Sequence, residues 1–508
     1  MSRIAIAAAC LAAGSLPDVE AFAGSGMSVL PARARAGARG RTGSVAVTMA
    51  DATMPKKKVV VTGVGAVTPI GMGADDFFAN LLKGEHGLGP LPAWADEFPC
   101  KTGAMLKDFK ADEWYANKKE AKRQSRYMHL GIAASKLGLK DAGLETDAIA
   151  DKSRFGMLIG SAIGGSEYYE EASNKWGKHS EYGEVKPGGK WGDETFAGRN
   201  SIYKGPMFLG EDDKFTFSGF KVISPFIVPS FIMNSGSGVA AVELDAQGPN
   251  YCIGGYGGEG AGGSVSIGQA YRFLSTDVAD VMIAGGSEAC LTQCVVAGFN
   301  KLSDMQCNEI DHTCKAFDKN SKGYALGEAA GLLVLETEEH AKARGAKIYC
   351  EVAGFGVAHG IDSEFVDGAM PTASALSSAI TSALAESGVG AGDVSYVSAH
   401  GSGVPAYDTV EAEGLKLAFG DHAKKLKISG IKNQVGNTLA AAGGLEAAVC
   451  AKMLRDGVVP GTARTSEPVS DLDFCLGGEQ KVSGNAAVSV NMAMGGTATA
   501  LVFKKYEA

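Results

Sequence analysis

Apolar runs alternate with amphipathic stretches along the chain, and this alternation predicts its strands and helices. Residues 59–62 form a continuous β-branched run, which is typical of a strand buried on both faces. Amphipathic spacing predicts helices at 74–83 and 123–142. Further strands are predicted in "RFGMLIGS", "VMIAGGSEA", "AAGLLVLE", "IYCEVAGFGVA" and "VSYVSAHGSG", helices in "ALSSAITSALAESG" and "LEAAVCAKMLRDG", and a closing hairpin in "AAVSVNMAMGGTATALVF". Such alternation predicts an α/β fold with buried sheets.

The alternation stops between about 173 and 221. This segment, which contains "KWGKHSEYGEVKPGGKWGDETF", is rich in Gly, Lys, Glu and aromatic residues and has neither the helical nor the strand period. Long structureless loops are uncommon inside a compact domain. We therefore predict an insertion on the surface of the fold.

The first fifty residues follow a different pattern. Arg3 precedes an apolar run at 4–13, which predicts a signal peptide at 1–21 that is too short to anchor in a membrane. Residues 22–50 contain four arginines and no acid, as transit peptides do. Together they resemble the bipartite presequence of red-lineage secondary plastids and predict import into the plastid (chloroplast) stroma. A disordered basic tail is the alternative, but it does not explain the apolar run.

Composition narrows the classes of function. The 508 residues include 45% hydrophobic and 21% charged residues, as in soluble globular proteins, and no later apolar run is long enough to span a bilayer. The formal net charge of -9 argues against a nucleic-acid partner. The ten cysteines form no CxxC pair, so free thiols and no structural metal are predicted.

The tract "YCIGGYGGEGAGGSVSIG" contains seven glycines within ten consecutive residues. Gly258, Gly260 and Gly263 match the GxGxxG fingerprint of dinucleotide sites, and Glu288 follows at the distance of a ribose-binding acid. However, that fingerprint usually opens the first βα unit of a domain, and a glycine-rich stretch produces it by chance. A flexible turn is a second interpretation.

The motifs around the tract support a third interpretation. "VVVTGVGAVTPIG", "LIGSAIGG", "DVADVMIAGGSEA", "SAHGSGVPAYDTVEAEGL", "IKNQVGNTLAAAGGLEAA" and "MGGTATALVF" occur in the order found in β-ketoacyl-acyl-carrier-protein synthases. From about residue 59 to 504 the chain resembles this family, and most of all its elongating class in type II fatty-acid synthesis. The resemblance implies a thiolase-like fold, in which two similar halves, 56–310 and 311–508, form a five-layered α-β-α-β-α sandwich.

Members of this family carry a nucleophilic cysteine at the start of a buried helix, where the helix dipole lowers the thiol pKa. Counting forward from "GPN" at 248–250 places Gly257 at that position, and counting back from "IG" at 267–268 places Gly260 there. Both are glycine, which cannot be acylated. Cys252 is the nearest thiol, but a cysteine on a buried strand is usually inert packing.

The resemblance also assigns other polar residues of the site. His400 in "HGSGVPAYD" corresponds to the histidine that donates to the thioester carbonyl during malonyl decarboxylation. Lys432 corresponds to the family lysine and Glu328 to its ion-pair partner, although the pair can equally be a structural salt bridge. Asn437 replaces the second histidine, as in initiating ketosynthases and chalcone synthases.

The gating motif "GFGGTN" of the family is altered near the C-terminus. Met492 and Met494 occupy its aromatic positions, Thr497 is retained, and Ala498 replaces the asparagine. The resemblance assigns the first three to substrate binding and implies a differently shaped mouth of the acyl tunnel. Methionines at alternating strand positions can also simply fill the core.

These observations favour a ketosynthase-family protein without acyl-enzyme chemistry. It would act as a non-catalytic partner, or as a binder of the acyl chain and acyl carrier protein. The expected assembly is a homodimer or a heterodimer with an active ketosynthase, without a cofactor. Two alternatives remain: an active 3-oxoacyl-ACP synthase that uses another thiol, and a malonyl-thioester decarboxylase.

Overall fold

The computed structural model describes residues 56–179, 208–209, 215–216, 224–254, 260–302, 314–361 and 370–507. The strands are β1 Val59–Thr68, β2 Gly71–Met72, β3 Leu88–Pro90, β4 Thr102–Ala104, β5 Phe155–Gly160, β6 Phe208–Leu209, β7 Phe215–Thr216, β8 Asn250–Tyr251, β9 Val281–Glu288, β10 Ala329–Thr337, β11 Cys350–His359, β12 Val394–Ser398, β13 Lys427–Ser429, β14 Val458–Val459, β15 Gln480–Lys481, β16 Ala486–Ala493 and β17 Thr497–Lys505. The helices are α1 Ala74–Leu82, α2 Arg126–Ala142, α3 Ser166–His179, α4 Ile227–Phe231, α5 Ser235–Leu244, α6 Gly262–Ser275, α7 Gln293–Lys301, α8 Glu338–Ala343, α9 Ala373–Ser387, α10 Pro405–Phe419, α11 Lys432–Val435 and α12 Ala440–Asp456.

The large sheet is built from two halves with the same strand pattern. In the first half the order is β1-β10-β9-β5-β8, and in the second it is β11-β17-β16-β12-β13. In each half the first three strands pair antiparallel and the last three pair parallel. β1 and β11 join the halves through the pairing of 59–61 with 350–352. β10 belongs with the first half by its pairing, although it follows the predicted boundary at 310/311.

Helices cover both faces of each half. α6 and α12 lie in the middle, because each contacts strands of both halves. α2 and α5 cover the outer face of the first half, and α9 covers that of the second half, with α10 packed against it. The predicted five-layered α-β-α-β-α sandwich is therefore confirmed.

The middle layer depends on close contact between the two central helices. α12 is buried on all sides from its first residue to Leu454, which is typical of a helix enclosed in a core. A Cβ placed on Gly263 of α6 would lie 2.6 Å from the Ala440 oxygen, and one on Gly443 of α12 would lie 2.5 Å from the Ser264 nitrogen. Only glycine permits this approach. Tertiary packing thus holds the glycine-rich start of α6 in helical form from Gly262 onwards.

Some predicted boundaries differ from the observed ones. The helix predicted at 123–142 begins at Arg126, after a 3₁₀ turn at Glu120–Arg123. Within the predicted insertion 173–221, α3 continues to His179 and β6 pairs with β7, whereas most of the segment lies outside the described residues. The predicted presequence 1–50 also lies outside them. None of the described helices is long and apolar enough to cross a bilayer.

Candidate active site

His400 lies in the loop that follows β12, and α10 holds this loop in place. Glu411 of α10 accepts hydrogen bonds from the main-chain N–H groups of His400 (2.7 Å) and Gly401 (2.8 Å). Asp408, one turn earlier, accepts from the Ser402 N–H at 2.7 Å. Burial raises the pKa of Glu411 to about 8 and that of Asp408 to about 6. Two enclosed carboxyl groups therefore fix the backbone that presents the histidine.

The imidazole of His400 is buried and uncharged. Its Nδ1 lies 3.4 Å from the main-chain nitrogen of Met492 and 3.4 Å from Nζ of Lys432. Burial, and then the charge of Lys432, hold the pKa of His400 well below its usual value. Because both neighbours of Nδ1 are donors, Nδ1 accepts and the ring proton resides on Nε2. No described residue forms a hydrogen bond with Nε2, so this N–H can donate to a ligand.

Lys432 pairs with a different carboxylate from the one predicted. Its Nζ lies 2.6 Å from Oε1 of Glu446 and donates to the His400 main-chain oxygen at 2.6 Å. Glu328 instead forms a two-pronged pair with Arg126, at 2.6 and 2.7 Å, beside the start of α2. The predicted Lys432–Glu328 ion pair is therefore wrong. Glu446 is the partner because α12, in the middle layer, projects its carboxylate directly at the lysine.

The polar network continues beyond Glu446 into β16 and α6. Asn491 donates from its amide nitrogen to Oε2 of Glu446, and its amide oxygen accepts from the Ser264 hydroxyl in the first turn of α6. All three side chains are fully buried. Sequence reasoning missed these residues. The signal was present, because Glu446 and Asn491 are isolated polar residues in the apolar runs "LEAAVC" and "VSVNMA".

Gly260 lies directly against His400. Its φ is +74°, and a Cβ placed on it would lie 2.8 Å from Cε1 of His400 and 2.4 Å from the main-chain oxygen of Met492. Of the two registers counted from the sequence, Gly260 therefore faces the histidine at the start of α6. Gly257, the other register, lies outside the described residues. Position 260 offers His400 only backbone.

Asn437 is buried in the turn between α11 and α12. Its side-chain oxygen accepts from the Leu439 N–H at 3.1 Å. Its main chain bonds to Ala325 and Gly327, each at 2.8 Å. The structure therefore ties Asn437 to the segment just before Glu328.

The three residues assigned to substrate binding do not all reach the site through their side chains. Met492 is fully buried and its side chain packs in the core of the second half, while its main-chain nitrogen lies 3.4 Å from His400 Nδ1. Met494 packs against the same core. Thr497, at the start of β17, pairs with Ala493 and His359. The core-filling alternative thus describes both methionine side chains.

Neither of the remaining candidates, Cys252 and Glu288, has the expected chemistry. Burial raises the pKa of Cys252 to about 11, which disfavours the thiolate. Glu288 is fully buried and accepts hydrogen bonds from the N–H groups of Ala162 (2.6 Å) and Ile163 (3.2 Å) and from the Ser161 hydroxyl (3.1 Å). These contacts occupy the acid that a dinucleotide ribose would require.

The fold and the polar residues around His400 place this chain in the ketosynthase class of proteins. Residues 56–341 match the N-terminal domain of beta-ketoacyl synthase, and residues 349–466 match its C-terminal domain. The chain belongs to the β-ketoacyl synthase family of type II fatty-acid and polyketide synthesis.

Curated relatives support the same family over almost the whole chain. The 3-oxoacyl-[acyl-carrier-protein] synthase 2 of Synechocystis sp. is 34% identical over 461 residues, which cover 90% of this chain and 100% of the relative. The protein of that name from Staphylococcus aureus is 34% identical over 457 residues, 89% of this chain and 99% of its own.

Solved structures share the fold. A β-ketoacyl synthase from Burkholderia phymatum superposes with a TM-score of 0.72 at 26% identity, covering 89% of this chain and 100% of its own. A type II polyketide ketosynthase, solved with its acyl-carrier protein and bound to a hexaketide, gives a TM-score of 0.73 at 24% identity with the same coverage. At that identity the second likeness supports the fold alone.

Proposed function

We propose that this protein is a ketosynthase-family member that binds acyl or acyl-carrier-protein ligands without forming an acyl-enzyme, and that it acts as a non-catalytic partner in plastid fatty-acid or polyketide synthesis. The observation that carries the proposal is the position of Gly260 against His400. Acyl transfer requires a nucleophile beside the base or donor that assists it. At this position the chain provides no thiol, hydroxyl or amine.

The rest of the site supports binding of a thioester. The Nε2–H of His400 is a fixed donor in a buried environment, where a hydrogen bond to a carbonyl oxygen is stronger than in water. Lys432 and the Met492 N–H face Nδ1 and so keep the ring in the tautomer that carries its proton on Nε2. A bound acyl thioester would therefore be held non-covalently.

Intact-mass spectrometry tests the proposal. The protein is incubated with acyl-acyl-carrier-protein thioester, beside a cysteine-bearing ketosynthase as the control. We expect a complex by native mass spectrometry but no mass increase after denaturation, whereas the control gains one acyl group. A stoichiometric adduct on this chain would falsify the proposal, and peptide mapping would show whether Cys252 carries it.

A second candidate function is decarboxylation of a malonyl thioester. The observation that favours it is the Nε2–H tautomer of His400. As the C–CO₂ bond breaks, its electron pair forms an enolate whose oxygen that N–H can stabilise, and a proton from solvent completes the acetyl thioester. We would measure CO₂ and acetyl thioester for the wild type, His400→Gln and the control His422→Gln. Product from the wild type and control but not from His400→Gln would support this function.

The partner and the compartment are also part of the proposal. A non-catalytic member gains a role beside a cysteine-bearing homologue, so we expect a heterodimer that co-purifies from plastids. Fusion of residues 1–50 to a fluorescent protein tests the location, with Arg33, Arg35, Arg39 and Arg41 changed to Ala in the control. Diffuse cytosolic fluorescence of the unchanged fusion would refute plastid import.

A further inference from the structure

We infer that Asn491 and Ser264 are positioning residues that fix the tautomer of His400 through Glu446 and Lys432. The inference rests on the proposed function only in that His400 is the donor to the bound thioester. Neither residue is within hydrogen-bonding distance of the imidazole in the described contacts. Their effect therefore passes along the chain of buried hydrogen bonds.

The donors and acceptors of the side chains determine the direction of each hydrogen bond in this network. The Ser264 hydroxyl donates to the amide oxygen of Asn491, and the amide nitrogen of Asn491 donates to Glu446 Oε2. A flipped amide would place its oxygen against the carboxylate, where two acceptors would face each other. Ser264 and Glu446 therefore fix the amide orientation from both sides.

The rest of the hydrogen-bond network, from Glu446 to Lys432, connects the oriented amide to the histidine. Glu446 Oε1 accepts from Lys432 at 2.6 Å, and Lys432 donates to the main-chain oxygen of His400. An ammonium group has only donors, so at 3.4 Å from Nδ1 it requires an unprotonated ring nitrogen. The His400 proton is consequently confined to Nε2.

Asn491 also acts through its own backbone. The next residue on β16, Met492, presents its N–H to Nδ1 of His400 at 3.4 Å. Because both the oxygen and the nitrogen of the Asn491 side-chain amide are hydrogen-bonded, the adjacent peptide keeps its position relative to the His400 ring. The same strand segment therefore controls Nδ1 by a direct contact and by the charged pair.

The charged and titratable groups that surround His400 fit this assignment. Lys432, paired with Glu446, approaches Nδ1, whereas Glu411 accepts from the His400 and Gly401 N–H groups and Asp408 accepts from the Ser402 N–H. Glu411 contacts the main chain and not the ring. Lys432 is thus the charged side chain next to Nδ1 among the described residues.

The test is the ¹⁵N NMR signature of the His400 ring, recorded on protein labelled with ¹⁵N-histidine. The chain has eight histidines, so His400→Gln identifies the signal. The wild type should show a protonated Nε2 and an unprotonated Nδ1. Ser264→Ala and Asn491→Leu should shift the ring toward a mixture of tautomers, and Ser264→Thr, which keeps the hydroxyl, should retain the wild-type signature.

Ser266→Ala is the matched control. Ser266 is equally buried on α6, but its hydroxyl donates to the Gly262 oxygen and does not join the network. A wild-type His400 signature in both Ser264→Ala and Asn491→Leu overturns the inference, as does an equal change in Ser266→Ala. If Asn491→Leu does not fold, Ser264→Ala alone decides. The spectra need no ligand, so this result is independent of whether the protein binds a thioester.

Discussion

Lys432 and Glu446 form an ion pair with 2.6 Å between Nζ and Oε1, and their side chains are 1% and 0% exposed. Each of these buried charges is stable in the protein interior only while its counter-charge is present. Removal of one leaves the other without water and without a partner. The pair therefore makes the stability of the whole middle layer depend on the same lysine that orients His400.

Lys432→Met should lower the free energy of unfolding by about 3–5 kcal/mol, because Glu446 would remain buried and unpaired. Chemical denaturation followed by circular dichroism measures the change. Lys432→Met combined with Glu446→Leu should recover much of the loss. Lys416→Met, which breaks two ion pairs at the surface, should have a much smaller effect. Equal losses for the single and double variants would contradict the prediction.

Gly260→Ala should destabilise the protein more than Gly388→Ala. Both glycines have positive φ, +74° and +66°, so both variants carry the strain of a left-handed residue. A Cβ at 388 has no atom within 4 Å, whereas at 260 it would overlap Met492 and His400. Overpacking should add about 1–3 kcal/mol at 260, measured by thermal and chemical unfolding. Similar values for both variants would show that the space beside His400 is open.

Glu411→Gln should cost most stability at acidic pH. Burial raises the folded-state pKa of Glu411 to about 8 from its ordinary value of 4.5, so the folded protein binds the proton more tightly than the unfolded chain does. The stabilisation is fully present below about pH 4.5 and is lost as pH rises through 8.

Denaturant titrations of the wild type and Glu411→Gln at several pH values between 5 and 9 measure this difference. The gap in unfolding free energy should shrink as the pH rises. Subtraction cancels the titration of distant groups common to both proteins, whereas Asp408, whose charge also raises the Glu411 pKa, titrates together with it. A gap that widens with pH would mean that the Glu411 pKa is lowered in the folded state.

Cys252 should react far more slowly with iodoacetamide than Cys294. Cys252 is partly buried with a pKa raised to about 11, whereas Cys294 is exposed at the start of α7. The thiolate is the reactive form, so at neutral pH we expect a difference of at least ~100-fold in rate. Peptide mapping of timed alkylation measures both rates in one sample. Rapid modification of Cys252 would contradict the prediction and would support the alternative of an active synthase that uses this thiol.

The fold could be predicted because its signals repeat along the chain. Buried strands such as β9 and β10 are mostly apolar runs. The order of the motifs resembles that of a known family, and this resemblance predicted the five layers. His400 and Lys432 were identified because each lies in a motif that spans several residues. The start of α6 could not be predicted from helix propensity, since contact between Gly263 and α12 outweighs it.

The ion pairing could not be predicted because sequence order does not show which layer supplies a partner. Glu328 and Glu446 both interrupt small apolar residues, and either could have met Lys432. The structure separates them by giving Glu328 to Arg126. The sequence also left Gly257 and Gly260 as alternatives for the nucleophile position. Three extra residues in the glycine tract make the position depend on whether one counts forward from 248–250 or back from 267–268.

The backbone contact between the two central helices has a mechanical consequence. Where Gly263 meets Ala440 and Gly444, backbone faces backbone, and no flexible side chain lies between the two helices to absorb a displacement. A ligand that pushed on the tip of α6 beside Gly260 would move α12 with it, and with α12 the strands on the opposite side of the sandwich. If the chain acts as the proposed non-catalytic partner, this rigid contact would let a ligand bound beside Gly260 displace strands that lie far from it.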